Sequence, residues 1–341
     1  MWPAIRRLLL GVFLIALTSG VLLVSDWGQR QAGRGPLPRV ALLQHATQAL
    51  LDEGVDGYIA GLAEGGFLEG KTVLIQRYNA ENDIATANAI AKEITDGRFD
   101  LLLTATTISL QAVAAANQAR RTKHVFGFVS DPASAGVGIS RDNPLQHPPH
   151  LVGFGSMPQV EDTFRTARQI YPALKTVGAA WNPAESNSVA NMKLARKVSA
   201  ELGIELMEAN VENSSAVQQV AASLVSRGVQ ALWVGGDLTM IIALDVVVAE
   251  ARKARIPVFT SIPGNAQRGA LFDVGGDPAE IGRKIGQLAA RLLRGEDSSR
   301  IPIENYFNPR LIVNRKALAG LKDPWRIPKD LLARAADVTG K

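Results

Sequence analysis

From Arg39 onward, short β-rich apolar runs alternate with segments whose apolar positions recur every three or four residues. The runs predict strands at 40–44, 72–78, 101–104, 124–128, 151–155, 176–181, 204–210, 231–234, 257–260 and 270–274. The longer periodic segments predict helices at 49–64, 84–95, 160–170, 189–202, 217–226, 238–254 and 278–294. Strand and helix in strict alternation imply parallel sheets covered on both faces by right-handed crossovers. About ten strands is many for one doubly wound sheet. The stretch RDNPLQHPPH (141–150) interrupts the rhythm, which restarts at Pro158. The pattern therefore predicts an α/β protein of two doubly wound parallel-sheet lobes, with any ligand lying beyond the carboxyl ends of the strands.

Ahead of the body lies an 18-residue uncharged run from Leu8 to Ser25, LLLGVFLIALTSGVLLVS, preceded by Arg6 and Arg7. At about 1.5 Å per residue it just spans a hydrocarbon core of about 30 Å. Thr18 and Gly20 offer the small residues of a cleavage site, but the apolar tail continues through Val24 and no A-x-A pattern follows. The expectation is an N-terminal apolar helix acting as an uncleaved anchor (1–25), with a cleaved signal peptide as the alternative, then a linker over 26–37.

The chain of 341 residues carries 37 basic and 32 acidic side chains, a net charge of +5. Five of the basic groups and only Asp26 among the acidic ones fall within residues 1–39, so 32 basic and 31 acidic groups remain for the body. A body so close to neutrality lacks the field that phosphate backbones require, and no nucleic-acid partner is expected. The absence of cysteine excludes disulfides, thiolate nucleophiles and a lipidated N-terminal cysteine.

Gly65, Gly70, Lys71 and Thr72 satisfy the G-x-x-x-x-G-K-[ST] phosphate-loop pattern, but a helical pattern precedes them and a β-rich run follows. That order is the reverse of what a phosphate loop needs, so the segment reads as a helix C-cap and turn. There is no G-x-S-x-G elbow, no H-E-x-x-H helix and no G-x-G-x-x-G after the first strand, and no catalysis, metal or cofactor is expected. His147 and His150 flank two prolines and read as a solvated loop, while His45 ends a strand facing the cleft.

The informative loops are QHATQ (44–48), TATTIS (104–109), SDP (130–132), NPAESNS (182–188) and GGDLT (235–239), all at strand ends. They supply Gln44, Thr47, Gln48, Thr106, Thr107, Ser130, Asp131, Asn182, Glu185, Asn187, Ser188 and Asp237 as candidate binding residues. Capping the following helix would account for any one of them. Together, free helix N–H groups beside hydroxyls form a receptor for a carboxylate, and Asp237 offers a counter-ion for an ammonium. An α-amino acid is the simplest ligand with both groups. Trp181 could stack on its side chain or sit in a core.

The stretches DGYIAGLAEGGFLEGKTV, SDPASAG, WNPAESNS, GIELMEANVENSSAVQQ, RGALFDVGGDPAEIGRKIGQLAARLLRGE and IPIENYFNPRLIVNRKALAGL resemble the substrate-binding proteins of ABC transporters. The resemblance is to the type I periplasmic-binding-protein-like family of tryptophan/tyrosine type. It implies two lobes joined by a three-crossover hinge, the first formed by 38–154 and 275–298, the second by 155–274 and 299–341. It further implies a monomer at the periplasmic face of the inner membrane, held there through Leu8 to Ser25 if uncleaved, or soluble in the periplasm if cleaved. The expected function is capture of a small zwitterionic or anionic, amino-acid-like ligand between the lobes for an ABC permease, with a ligand-sensing subunit of a signalling receptor as the alternative. In that reading Asp237 holds the ammonium, while Thr106, Ser130, Asn187 and Ser188 hold the carboxylate.

Overall fold

The computed structural model describes residues 36–119 and 121–339, together with Thr18 and Ser19. Apart from Thr18 and Ser19, the apolar run lies outside the described residues, as does most of the linker expected before the body. Among the described residues, no helix is long and apolar enough to cross a membrane.

The first half of the body winds through β1 (Arg39–Gln44), α1 (Ala49–Glu64), β2 (Leu74–Asn79), α2 (Ile84–Ile94), β3 (Leu101–Ala105), α3 (Thr107–Ala116), β4 (Lys123–Val129) and β5 (Leu151–Gly155). The second comprises α4 (Val160–Ile170), β6 (Thr176–Trp181), α5 (Ser186–Glu201), β7 (Glu205–Asn210), α6 (Val217–Ser226), β8 (Ala231–Val234), α7 (Leu238–Ile242), α8 (Leu244–Lys253), β9 (Val258–Thr260) and β10 (Phe272–Gly276). The chain then runs through α9 (Pro278–Leu293), β11 (Glu304–Asn305), β12 (Pro309–Asn314), α10 (Lys329–Arg334) and β13 (Asp337–Thr339). One sheet has the order β11-β5-β4-β3-β1-β2, the other β13-β12-β10-β9-β8-β6-β7. All pairings are parallel except β10 with β12.

The central strands are mostly apolar because both faces are covered. In β1, Val40 and Leu42 join the core under α1 and α9, whereas Ala41 and Leu43 face the core under α2 and α3. In β8, Ala231 and Trp233 pack toward α4 and α5, and Leu232 and Val234 toward α6 and α8. The helix expected over 238–254 is broken at Ala243, whose φ of −92° and ψ of 14° separate α7 from α8. The Gly65–Thr72 segment is a C-cap and turn, with the Thr72 hydroxyl donating to Gly66 O at 2.8 Å.

Three connections cross between the sheets: after β5, after β10 and after β11. All three differ from the expected boundaries, the first by one residue, since Gly155 belongs to β5 of the first sheet. Gly275 and Gly276 belong to β10 in the second sheet, and β11 pairs Glu304 with Phe154 and Asn305 with Gly155, so residues 299–305 lie with the first lobe. The third crossing is the short span 306–308, tied to the second where Tyr306 and Asn308 donate to Glu280 (2.5 and 2.7 Å) and Arg310 to Asp277 (2.6 Å).

Helix α9 enters the first lobe directly from the second crossing and lies against α1 along a glycine seam. A Cβ on Gly57 or Gly61 of α1, or on Gly282 or Gly286 of α9, would run into a backbone carbonyl of the opposite helix. The two helices are thereby fixed at their closest approach, with both N-termini at the interlobe cleft.

Candidate functional site

The loops after β1, β3, β4, β6, β8 and β9 and all three interlobe connections converge on one cavity between the lobes, with about 820 Å³ of non-atom space including its open mouth. The first lobe contributes Gln48, Leu50, Leu51, Thr106, Thr107, Ile108, Phe128 and Ser130. The second contributes Glu185, Asn187, Gly236, Leu238, Ile241 and Ser261 through Pro263. From the connections come Ser156 and Pro158, Gly276 and Pro278, and Phe307. The lining thus includes residues from each of the three connections between the sheets.

The polar groups fall on opposite walls. On the second lobe, Glu185 is 7% exposed and accepts from Leu238 N (2.8 Å), Thr239 N (3.1 Å) and the Thr239 hydroxyl (2.7 Å). A carboxylate offers about four acceptor positions, so one remains for a cavity group. Beside it, Asn187 donates its Nδ2 to Gly236 O at 2.8 Å, leaving Oδ1 as an acceptor. The first-lobe wall is one of donors. The N–H groups of Thr107 and Ile108 begin α3 and have no partner within the helix. Thr107 and Ser130, 4% and 8% exposed, carry hydroxyls and line the same cavity. Leu50, Leu51, Ile241, Ile262, Ile281 and Phe307 lead the apolar part of the lining, and Gln48, Thr106, Ser156 and Ser261 add further polar residues.

Of the residues singled out in the sequence, Gln48, Thr106, Thr107, Ser130, Glu185 and Asn187 line this cavity. Asp237 does not, and its expected role as the ammonium partner is corrected. It is 1% exposed, caps α7 by accepting from Met240 N at 2.8 Å, and takes the Ser188 hydroxyl at 3.0 Å. Burial, and then the charge of Glu185, push its carboxyl well above the usual carboxylate range, which disfavours the charged form. Ser188 is likewise spent on Asp237.

Other expected residues brace neighbouring structure. Gln44 donates to Ala46 O (2.7 Å) and Asp52 (2.6 Å), holding the turn into α1. Thr47 is exposed and bonds Asn79 at 2.8 Å. Asp131 caps the turn Pro132–Ala135 and pairs with Arg141 at 2.6 Å, which, with the Ser134 hydroxyl, holds its carboxyl below the usual range despite burial. Trp181 packs against the second-lobe core with the Arg196 guanidinium 5.4 Å above its ring. Asn182 reaches the site indirectly, donating to the Thr239 hydroxyl (3.0 Å), which itself donates to Glu185. With His45 it borders a more polar cavity nearby.

The apolar lining, Ser156 and Ser261 are not among the residues expected from the sequence. Leu50 and Leu51 stand in the first turn of α1, and Ile262, Pro263 and Phe307 in loops, where apolar side chains without a helical or strand period are the available signal.

The family model for ABC transporter substrate binding proteins matches residues 39–339. The chain belongs to that family. Among similar proteins, a tyrosine-binding protein of Clostridioides difficile is 28% identical over 280 residues, covering 82% of this chain and 79% of the relative. A conserved domain protein from Vibrio cholerae superposes with a TM-score of 0.83 at 27% identity, covering 89% of this chain and 100% of that structure. An ABC domain from Streptococcus pneumonia in complex with L-Trp superposes at 0.82 with 21% identity, over the same shares of the two chains. The substrate-binding family is one of binding proteins, and the cavity's arrangement of fixed donors facing fixed acceptors suits binding.

Proposed function

We propose that this substrate-binding protein captures a free α-amino acid with a large apolar or aromatic side chain between its lobes, for delivery to an ABC permease. The observation that carries the reading is the opposition of the two polar walls across one apolar chamber. Glu185 and the Asn187 Oδ1 form an acceptor pair for an α-ammonium. The Thr107 and Ile108 N–H groups with the Thr107 and Ser130 hydroxyls form a donor set for an α-carboxylate. The chamber walled by Leu50, Leu51, Ile241, Ile262 and Phe307 takes the side chain. A relative that binds tyrosine, and a structure of the same fold holding L-Trp, support a ligand of that size.

Because lining residues come from both lobes and from all three connections, entry and release require hinge opening, and closure brings both walls onto the ligand. The apolar run from Leu8 to Ser25 supports a location at the outer face of the inner membrane. Membrane fractionation tests that placement, which a purely cytosolic chain would contradict. Titration calorimetry of the purified chain with L-tryptophan, L-tyrosine and L-phenylalanine tests the ligand class. Micromolar or tighter binding of at least one is expected, and no heat from any of them would overturn the reading.

A further inference from the structure

Two residues on the cavity wall hold backbone conformations that side chains other than glycine avoid: Thr106 at φ 104°, ψ 162° and Phe128 at φ 55°. The other non-glycine residues with positive φ among those described are Glu81, Asn82, Arg121 and Arg255, none of which lines this cavity. Thr106 is the more unusual, since its φ and ψ together fall in a region essentially reserved for glycine and its side chain is β-branched.

The two are neighbours in space. Thr106 N donates to Gly127 O at 3.1 Å, linking the end of β3 to the residue before Phe128. Phe128 sits where the pairing of β4 with β5 slips register between Phe126 and Val129. The slip lays the Phe128 ring against Tyr58, centroids 6.0 Å apart and 18° from parallel, in a hollow that exists because position 54 is glycine. The sharp turn at Thr106 starts α3 at Thr107, so that Thr107 and Ile108 open onto the cavity.

We propose that Thr106 and Phe128 are positioning residues, a strained ledge that fixes the Thr107 and Ile108 donors at the carboxylate position and keeps the Phe128 ring out of the ligand's space. The strain is retained for recognition, since glycine at 106 would relax the backbone and leave the fold intact. The proposal rests on the reading of the cavity as an α-amino-acid site.

The test compares wild type, Thr106→Gly and Thr106→Ser in the purified full chain. Each is melted without ligand, then titrated with L-tryptophan and with L-tryptophanamide, which lacks the carboxylate. The serine variant keeps both the hydroxyl and the backbone constraint, and should match wild type within about 3-fold. In Thr106→Gly, release of strain outweighs the entropy of glycine, and the melting temperature should rise by about 2–5 °C. Its affinity for L-tryptophan should fall about 10-fold or more, and the wild-type preference for the acid over the amide should shrink with it. A glycine variant that binds L-tryptophan as tightly and selectively as wild type, or that melts several degrees lower, overturns the proposal. A wild-type chain indifferent to the amide overturns the carboxylate reading instead, and the direction of the melting shift then decides whether Thr106 is strained.

Discussion

Replacing Glu185 with glutamine removes one negative charge from the cavity while keeping the side chain's length and shape. A ligand ammonium about 4 Å from that carboxylate, at the effective dielectric of a protein site, is attracted by about 4 kcal/mol. Truncating one partner of a buried charge pair costs about 2–5 kcal/mol, which corresponds to a dissociation constant raised about 30-fold to several thousand-fold. The substitution also disturbs the wall itself. The two Glu185 oxygens accept from Leu238 N and from Thr239 N and its hydroxyl, and a carboxamide can offer an acceptor to only one side. The donor left facing an NH₂ costs about 1–3 kcal/mol of stability, partly offset because buried Asp237 no longer has a charged neighbour. Calorimetry with L-tryptophan and with indole-3-propionate, which lacks the ammonium, separates the two effects. Wild type should prefer L-tryptophan strongly, and Glu185→Gln should lose most of that preference while its affinity for indole-3-propionate changes little. Unchanged affinity and unchanged preference in Glu185→Gln would refute the assignment.

Asp237→Asn should leave L-tryptophan affinity at pH 7 within about 3-fold of wild type, because the carboxyl it replaces lies outside the cavity lining and is engaged by Ser188 and Met240; a loss comparable to that of Glu185→Gln would restore Asp237 to the site. Gly54→Ala places a methyl group against the Phe128 ring and should push it into the cavity, weakening L-tryptophan binding more than L-leucine binding in parallel titrations. Asp273 is buried in β10 beneath the loop carrying Ile262 and Pro263, accepts from Ala266 N at 2.7 Å, and is raised by burial to about 7. Between about pH 4 and pH 7 only the folded state holds this proton, so its contribution to stability falls with rising pH by up to about 1.4 kcal/mol per unit. Asp273→Asn should flatten that part of the pH dependence of thermal unfolding.

The fold was legible because strands buried on both faces, such as LLLTA and ALWV, have no polar alternation to confuse with an exposed strand. What escaped was the third crossing. Strand β11 is two exposed residues, Glu304 and Asn305, whose membership of the first sheet rests on backbone pairing with Phe154 and Gly155 and carries no apolar signal. At the site, Asp237 and Glu185 both stand at strand-end loops, and position in the sequence does not tell which of them lines the cavity; the structure places Glu185 there and buries Asp237 beside it. A finer signal was present. Aspartate at an N-cap is satisfied by the amide three residues on, here Met240, whereas glutamate caps poorly, and Glu185 makes no cap to its own helix. The apolar chamber was not legible, since Leu51 or Ile262 in a sequence looks the same whether it meets a core or a ligand.

The most direct test of the central claim is a crystal structure of the protein grown with L-tryptophan. The account predicts the ligand between the lobes, its ammonium within hydrogen-bond distance of Glu185 and Asn187 Oδ1, its carboxylate at the Thr107 and Ile108 amides and the Ser130 hydroxyl, and its ring among Leu50, Ile241 and Phe307. An ammonium seated on Asp237, a reversed ligand, or a ligand confined to the polar cavity beside His45 would contradict it.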